Sequence, residues 1–202
     1  MQIESLENNI LYFTEIFTSP DQIINSLESL NEFSTEDSPI SKWKEWKSSN
    51  SDVIYGVLKT SSFSKSFARN IYEEEQILIS IYINKVINDC AAKYKEITGI
   101  DPDFLPDHYT INKYLPGVYM GPHVDYEGEG RTTLIPSVSM VLYLNDNYEG
   151  GEIAFPKQNI LIKPKAGSLI IFPSNKPYYH DPKPVIAGTK YMVPLFWFNS
   201  KV

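Results

Sequence analysis

From about Phe104 onward, proline and glycine cut the chain into short extended runs at 109–115, 118–125, 137–144, 151–155, 159–163, 168–172, 178–186 and 189–198. No long helix fits between these cuts. Short strands at this spacing predict a β-sandwich or barrel for the second half. The turn residues agree: Leu115-Pro116-Gly117, Asn145-Asp146-Asn147 and Gly150-Gly151 separate the runs. Within 137–144 the even positions Val138, Met140, Leu142 and Leu144 are apolar, whereas Ser137, Ser139 and Tyr143 on the odd positions carry hydroxyls. Strand side chains alternate between faces. One face is therefore expected to pack on an apolar layer of helices, the other to look into a pocket that needs hydrogen bonds.

The first half reads as helical. Ser19 is placed to cap a helix, with Pro20 at its first position and Gln22 set for a capping box. Ile23, Ile24, Leu27 and Leu30 follow as one apolar stripe. A second helix is predicted from about Tyr72 to Thr98, stopped by Gly99. Ile79, Ile83, Val86, Cys90, Tyr94 and Ile97 give its buried face, and Glu73, Glu74 and Glu75 suit its N-terminal dipole. Residues 34–52, with Trp43 and Trp46, read as a loop or helical turn, and Val53 to Leu58 as a strand. There is no repeat or linker. The 202 residues are expected to form a single domain, with a helical support region at 1–105 and a β core at 106–200.

Composition excludes several classes. Forty-two per cent of residues are hydrophobic and the net charge is -7, which describes a cored globule rather than a disordered chain. That charge argues against broad binding to nucleic-acid backbone. The lone Cys90 excludes an internal disulfide framework. The longest apolar stretch, Ile77 to Ile83, is too short to span a bilayer, and Met1-Gln2-Ile3-Glu4 has no basic leader. A cytoplasmic protein with no nucleic-acid or membrane partner is expected. Composition says nothing of its oligomeric state.

The chemistry centres on His123-Val124-Asp125. On a strand, residues i and i+2 share a face about 7 Å apart, so the two side chains can hold adjacent corners of a metal octahedron. The other reading of the tripeptide alone is a surface histidine near a surface aspartate. The chain has only three histidines, and His180, in a later extended run, is the natural third ligand. His108 reads as structural or exposed. Two histidines and a carboxylate on one face leave three positions open, the arrangement of non-haem Fe(II) oxygenases. Lys190 lies ten residues beyond His180. Pointed inward it needs an anion, and a dicarboxylate would supply one; otherwise it is a solvated lysine. No convincing Ser-His-Asp or Cys-His set competes.

The ordered set of Tyr114-Leu115-Pro116-Gly117, His123-Val124-Asp125, Tyr143-Leu144-Asn145-Asp146, Glu149-Gly150-Gly151-Glu152 with Phe155-Pro156, Ala166-Gly167-Ser168 with Phe172-Pro173, and His180 with Lys190 resembles the Fe(II)/2-oxoglutarate-dependent dioxygenases, specifically the prolyl 4-hydroxylase group. The resemblance covers about residues 106–198. It implies an α+β, mainly β fold, a double-stranded β-helix (jelly roll) behind N-terminal supporting helices. It implies that His123, Asp125 and His180 bind Fe(II), that Lys190 pairs with the distal carboxylate of 2-oxoglutarate, and that Tyr114, Tyr143 and Ser139 place hydroxyls near that co-substrate. O2 and ascorbate complete the implied cofactors. The implied reaction is hydroxylation of an unactivated C–H bond, with succinate and CO2 released, on a proline-containing peptide or protein. A lysine at 190 resembles the collagen-type enzymes more than oxygen-sensing or nucleic-acid-repairing relatives, which tend to use arginine.

Two positions depart from the family pattern. Pro136 stands where an arginine is common, and Phe196 where some relatives hold peptide with tryptophan. Phe196 should share a face with Lys190. Arg131, in the Gly/Glu-rich loop 126–136, reads equally as a substrate contact or a surface charge. The departures keep open a small-molecule or non-prolyl substrate. From other classes, a non-catalytic metal- or sugar-binding jelly roll shares the architecture, and a zinc hydrolase would lack an obvious general base.

Overall fold

A computed structural model of the chain describes residues 1–32, 44–45, 66–70, 77–105, 110–118, 120–128 and 134–200. Thirteen strands and two α-helices lie among the described residues. They are, in order, β1 (Gln2–Ser5), β2 (Leu11–Thr14), α1 (Pro20–Glu32), β3 (Lys44–Glu45), β4 (Ser66–Asn70) and α2 (Ile77–Thr98). The second half holds β5 (Thr110–Tyr114), β6 (Leu134–Tyr143), β7 (Glu149–Gly150), β8 (Ile153–Phe155), β9 (Ile160–Ile162), β10 (Ser168–Pro173), β11 (Asp181–Pro182), β12 (Val185–Ala187) and β13 (Lys190–Ser200). Eight strands form one sheet in the order β1-β2-β10-β6-β13-β5-β4-β3, and two small sheets are ordered β11-β8-β9 and β12-β7. Every pairing is antiparallel.

The predicted alternation along 137–144 decides how the layers stack. Val138, Met140, Leu142 and Leu144 are fully buried with Ile83, Val86, Ile87, Cys90 and Tyr94 of α2. The opposite face of the sheet, with Tyr143 and Ile170, packs on Ile153, Phe155 and Ile162 of the small sheets. The large sheet is thus sandwiched between helices and two short sheets, and the hydroxyl-bearing face looks toward the short sheets. Leu142 is 0% exposed at the centre of the helical face. Leu142→Ala is expected to destabilise the fold by about 2–5 kcal/mol, measured by urea unfolding.

Helix α2 stops as expected. Gly99 sits at φ +72 and its N–H donates to the Lys95 carbonyl at 2.9 Å, the left-handed C-terminal cap that glycine takes without strain. Its apolar face is one turn shorter than predicted, since Ile97 is 49% exposed. Helix α1 begins at Pro20, and Ile23 is buried.

The first half is not only helical. It supplies β1 and β2 to one edge of the large sheet and β4 and β3 to the other. Strand β2 was hidden because it is only four residues long and buried on both faces, so it shows no alternation. Leu11 and Phe13 join the helical layer while Ile10 and Tyr12 join the opposite one. Asn8 and Asn9, both at positive φ, turn the chain from β1 into β2.

Two predicted strands are broken. The run 118–125 is not a ladder: His123 makes an isolated bridge to His180. Gly117 and Gly121 at positive φ, with Pro122 lacking an N–H, prevent continuous pairing. The run 178–186 likewise reduces to β11 and β12 around Pro184. Trp43, Trp46, the 53–58 strand, His108 and Arg131 lie outside the described residues. Among the described residues, no helix is long and apolar enough to cross a membrane.

Candidate active site

His123 and His180 are brought together by their own backbones. The N–H of each donates to the carbonyl of the other at 2.9 Å, so residues 57 positions apart (180 less 123) become cross-strand neighbours. Their ring centroids are 4.3 Å apart. Asp125, two residues on from His123, places Oδ1 3.3 Å from His123 Nε2 and Oδ2 3.9 Å from His180 Nε2. One ligand atom from each of the three lies within 4.8 Å of the others. The three residues singled out in the sequence thus meet, although the strand that was to carry the pair is absent.

The tautomers are set by neighbours. His123 Nδ1 is 2.8 Å from the Gly121 carbonyl and His180 Nδ1 is 3.1 Å from the Tyr178 carbonyl. A carbonyl only accepts, so each Nδ1 carries a hydrogen and each Nε2 is the atom turned towards Asp125. Burial pushes the His180 imidazole down to about 4, against the pull of Asp125. At His123 burial acts the same way, but hydrogen bonding and attraction from Asp125 outweigh it and raise the pKa. Burial would raise Asp125, yet the two histidines and Ser139 hold it below the usual carboxylate range. An ionised carboxylate beside an imidazole that stays neutral is the donor set a divalent metal requires.

Ser139 supports this set from β6. Its Oγ donates to Asp125 Oδ2 at 2.6 Å and lies 2.8 Å from Ser174 Oγ. Its described partners are thus Asp125 and Ser174, which puts it directly beside the trio. The pairing of β6 with β10 carries Ser174 to this position, and sequence spacing gave no sign of it. Ser139→Ala is expected to weaken Fe(II) binding roughly 10- to 100-fold by freeing the carboxylate, measured by anaerobic metal titration. Phe155 and Phe172 pack against His180, their centroids 5.8 and 5.0 Å from its ring.

Lys190 points inward. It is 5% exposed, and its Nζ donates to the Gly151 carbonyl at 2.8 Å. Tyrosine rings surround the ammonium, with centroids at 5.1 Å (Tyr143), 5.9 Å (Tyr148) and 6.0 Å (Tyr114). The register explains this: Lys190 is opposite Tyr114, and Met192 opposite Tyr143. No described carboxylate lies within ion-pair distance of Lys190. Burial, with Lys163 nearby, pushes it down to about 7. Burial raises Tyr114 to about 12 and Tyr143 well above its ordinary value, so both keep their hydroxyl protons. A buried ammonium surrounded by tyrosine rings fits a carboxylate.

Phe196 lies opposite Ser139 on the face shared with Lys190, half-buried, its ring centroid 6.2 Å from that of Phe198. Trp197 is turned into the helical layer. Tyr148 was not singled out from sequence. The signal available was its position next to Glu149-Gly150-Gly151, a turn that folds back on Lys190.

Residues 109–199 match the 2OG-Fe(II) oxygenase superfamily. The chain is similar to a "Putative prolyl 4-hydroxylase" of Acanthamoeba polyphaga mimivirus, at 31% identity over 111 residues. That match takes in 45% of this chain and 44% of the mimivirus protein, so the chain spans less than half of this relative's length. Among solved structures, it is similar to a viral collagen prolyl hydroxylase from Paramecium Bursaria Chlorella virus-1, solved with 2OG. The TM-score is 0.66 and the identity 18%, covering 96% of this chain and 97% of the other. A Trichoplax adhaerens prolyl hydroxylase, in complex with a hypoxia inducible factor oxygen degradation domain peptide, gives a TM-score of 0.66 at 17% identity, covering 95% and 84%. At these identities the structural likeness establishes a shared fold.

Proposed function

We propose that this chain, whose residues 109–199 match the 2OG-Fe(II) oxygenase superfamily, is an oxygenase of that kind and hydroxylates a prolyl residue of a peptide or protein. The large sheet and the short sheets facing it are read as the two walls of a double-stranded β-helix spanning 106–200. Residues 1–105 support it as part of one domain. His123, Asp125 and His180 would hold Fe(II), and Lys190 with Tyr114 and Tyr143 would hold 2-oxoglutarate. When bound, Fe(II) with 2-oxoglutarate and O2 supplies the oxidation of an unactivated C–H bond, with succinate and CO2 as co-products.

The chain's own contribution is positioning. The backbone bridge between His123 and His180 sets the ligand spacing, and the two carbonyls at Gly121 and Tyr178 aim the Nε2 atoms. Ser139 fixes the Asp125 carboxylate. Phe155 and Phe172 keep water from His180. Lys190 and its tyrosines orient the dicarboxylate from its far end. The single observation that carries the reading is this pairing of a two-histidine, one-carboxylate cluster with a buried lysine that no described carboxylate meets. A sugar-binding or non-catalytic module has no use for that lysine. The prolyl assignment is supported by the named relatives with prolyl hydroxylase activity in their descriptions. A non-prolyl or small-molecule substrate is the second reading, and Phe196 in place of a peptide-holding tryptophan favours it. The single, buried free thiol of Cys90 agrees with a reducing, cytoplasmic setting.

The test is mass spectrometry of a proline-containing peptide library after turnover with Fe(II), 2-oxoglutarate, O2 and ascorbate. One oxygen atom added at proline is the expected result. Succinate formation with an oxygen on another residue selects the second reading. No succinate with any peptide or small molecule overturns the enzyme assignment.

A further inference from the structure

One buried polar group near Lys190 has no role in the arrangement above. Tyr148 is 6% exposed, and its hydroxyl has no hydrogen-bond partner among the described residues. An unmet buried hydroxyl is costly, so native structures rarely keep one without use. The ring is also held unusually firmly. Gly151 lies so close that a Cβ there would stand 2.7 Å from Tyr148 Cε2 and 3.2 Å from Lys190 Cδ. Behind it, a Cβ at Gly188 would stand 3.0 Å from Tyr148 Cα. Lys163 lies 4.1 Å from the ring centroid, and its Nζ donates to the Tyr148 carbonyl at 3.0 Å and to that of Gly150. The two glycines and Lys163 thus fix a tyrosine whose working end is left bare.

The ring edge meets the Lys190 stem at Gly151, and its centroid is 5.9 Å from the ammonium. It packs beside Tyr114 in the same buried cluster, and it adds to the burial that keeps the Tyr143 hydroxyl from ionising. Burial, with Asp146 and Glu152 nearby, keeps the Tyr148 hydroxyl protonated and so a donor. A fixed ring that carries an unpaired donor and packs against the stem of a buried ammonium suits a carboxylate oxygen bound there.

The geometry points to Tyr148 as a further co-substrate-binding residue, its hydroxyl donating to the distal carboxylate of 2-oxoglutarate beside Lys190. This rests on the proposed function. The test is Tyr148→Phe, which removes only the hydroxyl. Binding is measured by anaerobic calorimetry on the Mn(II)-loaded protein with two probes, 2-oxoglutarate and 2-oxobutyrate, which lacks the distal carboxylate. The variant is expected to bind 2-oxoglutarate about tenfold more weakly than wild type, a typical loss for a hydrogen bond to a charged group. It is expected to bind 2-oxobutyrate equally well. Its KM for 2-oxoglutarate should rise while kcat at saturation stays near wild type. Its unliganded melting temperature should match or exceed wild type, because no bond is lost.

Unchanged 2-oxoglutarate affinity overturns the inference. So does equal weakening for both probes, which marks a displaced ring, and so does a lowered unliganded melting temperature, which marks a structural partner. A wild type that binds neither probe overturns the proposed function itself, whereas one that binds both while the variant binds equally tightly leaves that function standing and sinks only the role of Tyr148.

Discussion

Asp125→Ala is expected to weaken Fe(II) binding well beyond 100-fold and to remove succinate formation. The reason is geometric. Both imidazole Nε2 atoms face this one carboxylate, at 3.3 and 3.9 Å, and Ser139 donates to it at 2.6 Å. Removing a group that only orients a ligand typically costs about 10- to 100-fold in metal affinity. Removing the only carboxylate in the cluster must exceed that, since two neutral imidazoles remain to hold a doubly charged ion. The unliganded fold should respond differently. Asp125 is itself buried against its own solvation, so its loss relieves a desolvation cost in the unliganded protein. Thermal unfolding without metal is therefore expected to shift little, while anaerobic Fe(II) titration and succinate release collapse. Metal retention within tenfold of wild type would show that the trio is an ordinary buried ion-pair network and would end its assignment as a ligand set.

The chemistry was more legible in the sequence than the architecture that delivers it. His123, Asp125, His180 and Lys190 stood out because histidine is scarce and because a buried lysine demands an anion. Those arguments concern residue identity, which survives any local irregularity. The strand expected to carry His123 and Asp125 did not survive, because glycine and proline at 117, 121 and 122 leave a single bridge. The pair still converges, since one cross-chain bridge is enough to fix two side chains. The alternation along 137–144 was legible because β6 separates the fully apolar helical layer from a face that mixes apolar side chains with the Ser139 and Tyr143 hydroxyls. Strand β2, buried on both faces, offered no such contrast, and Tyr12 went unnoticed with it.

Contacts made across register were out of reach altogether. Ser174 meets Ser139 only because β10 pairs with β6, and Tyr148 meets Lys190 only because Gly151 permits close approach. Neither pairing leaves a trace in local spacing. Both lie in the layer that positions the site rather than in the trio itself. Residue chemistry pointed to the groups that converge, whereas tertiary register decides what supports them.

Lys190→Met gives the second large effect, and its sign changes with the quantity measured. The methionine keeps the stem and removes the charge. Breaking a buried charge pair by removing one partner costs about 3–5 kcal/mol, so 2-oxoglutarate binding should weaken by on the order of 100-fold or more. Without the dicarboxylate, the ammonium is a liability. Burial and the nearby Lys163 push Lys190 down to about 7, while the unfolded chain keeps the ordinary lysine value of 10.5. Between these values the unfolded state binds more protons than the folded one, so wild-type stability rises as pH increases from about 7 towards 10.5. Below 7 the full penalty is present. The variant should therefore be more stable than wild type at pH 6 and should lack that slope. The same titration controls binding. Above pH 7 the free protein has largely lost the Lys190 proton, and a carboxylate restores it, so 2-oxoglutarate binding should take up a proton and weaken as pH rises from 7 to 9. Calorimetry at pH 8 in two buffers of different ionisation heat measures that uptake directly. Wild-type binding without proton uptake, or uptake that persists in Lys190→Met, would place the dicarboxylate elsewhere than against this ammonium.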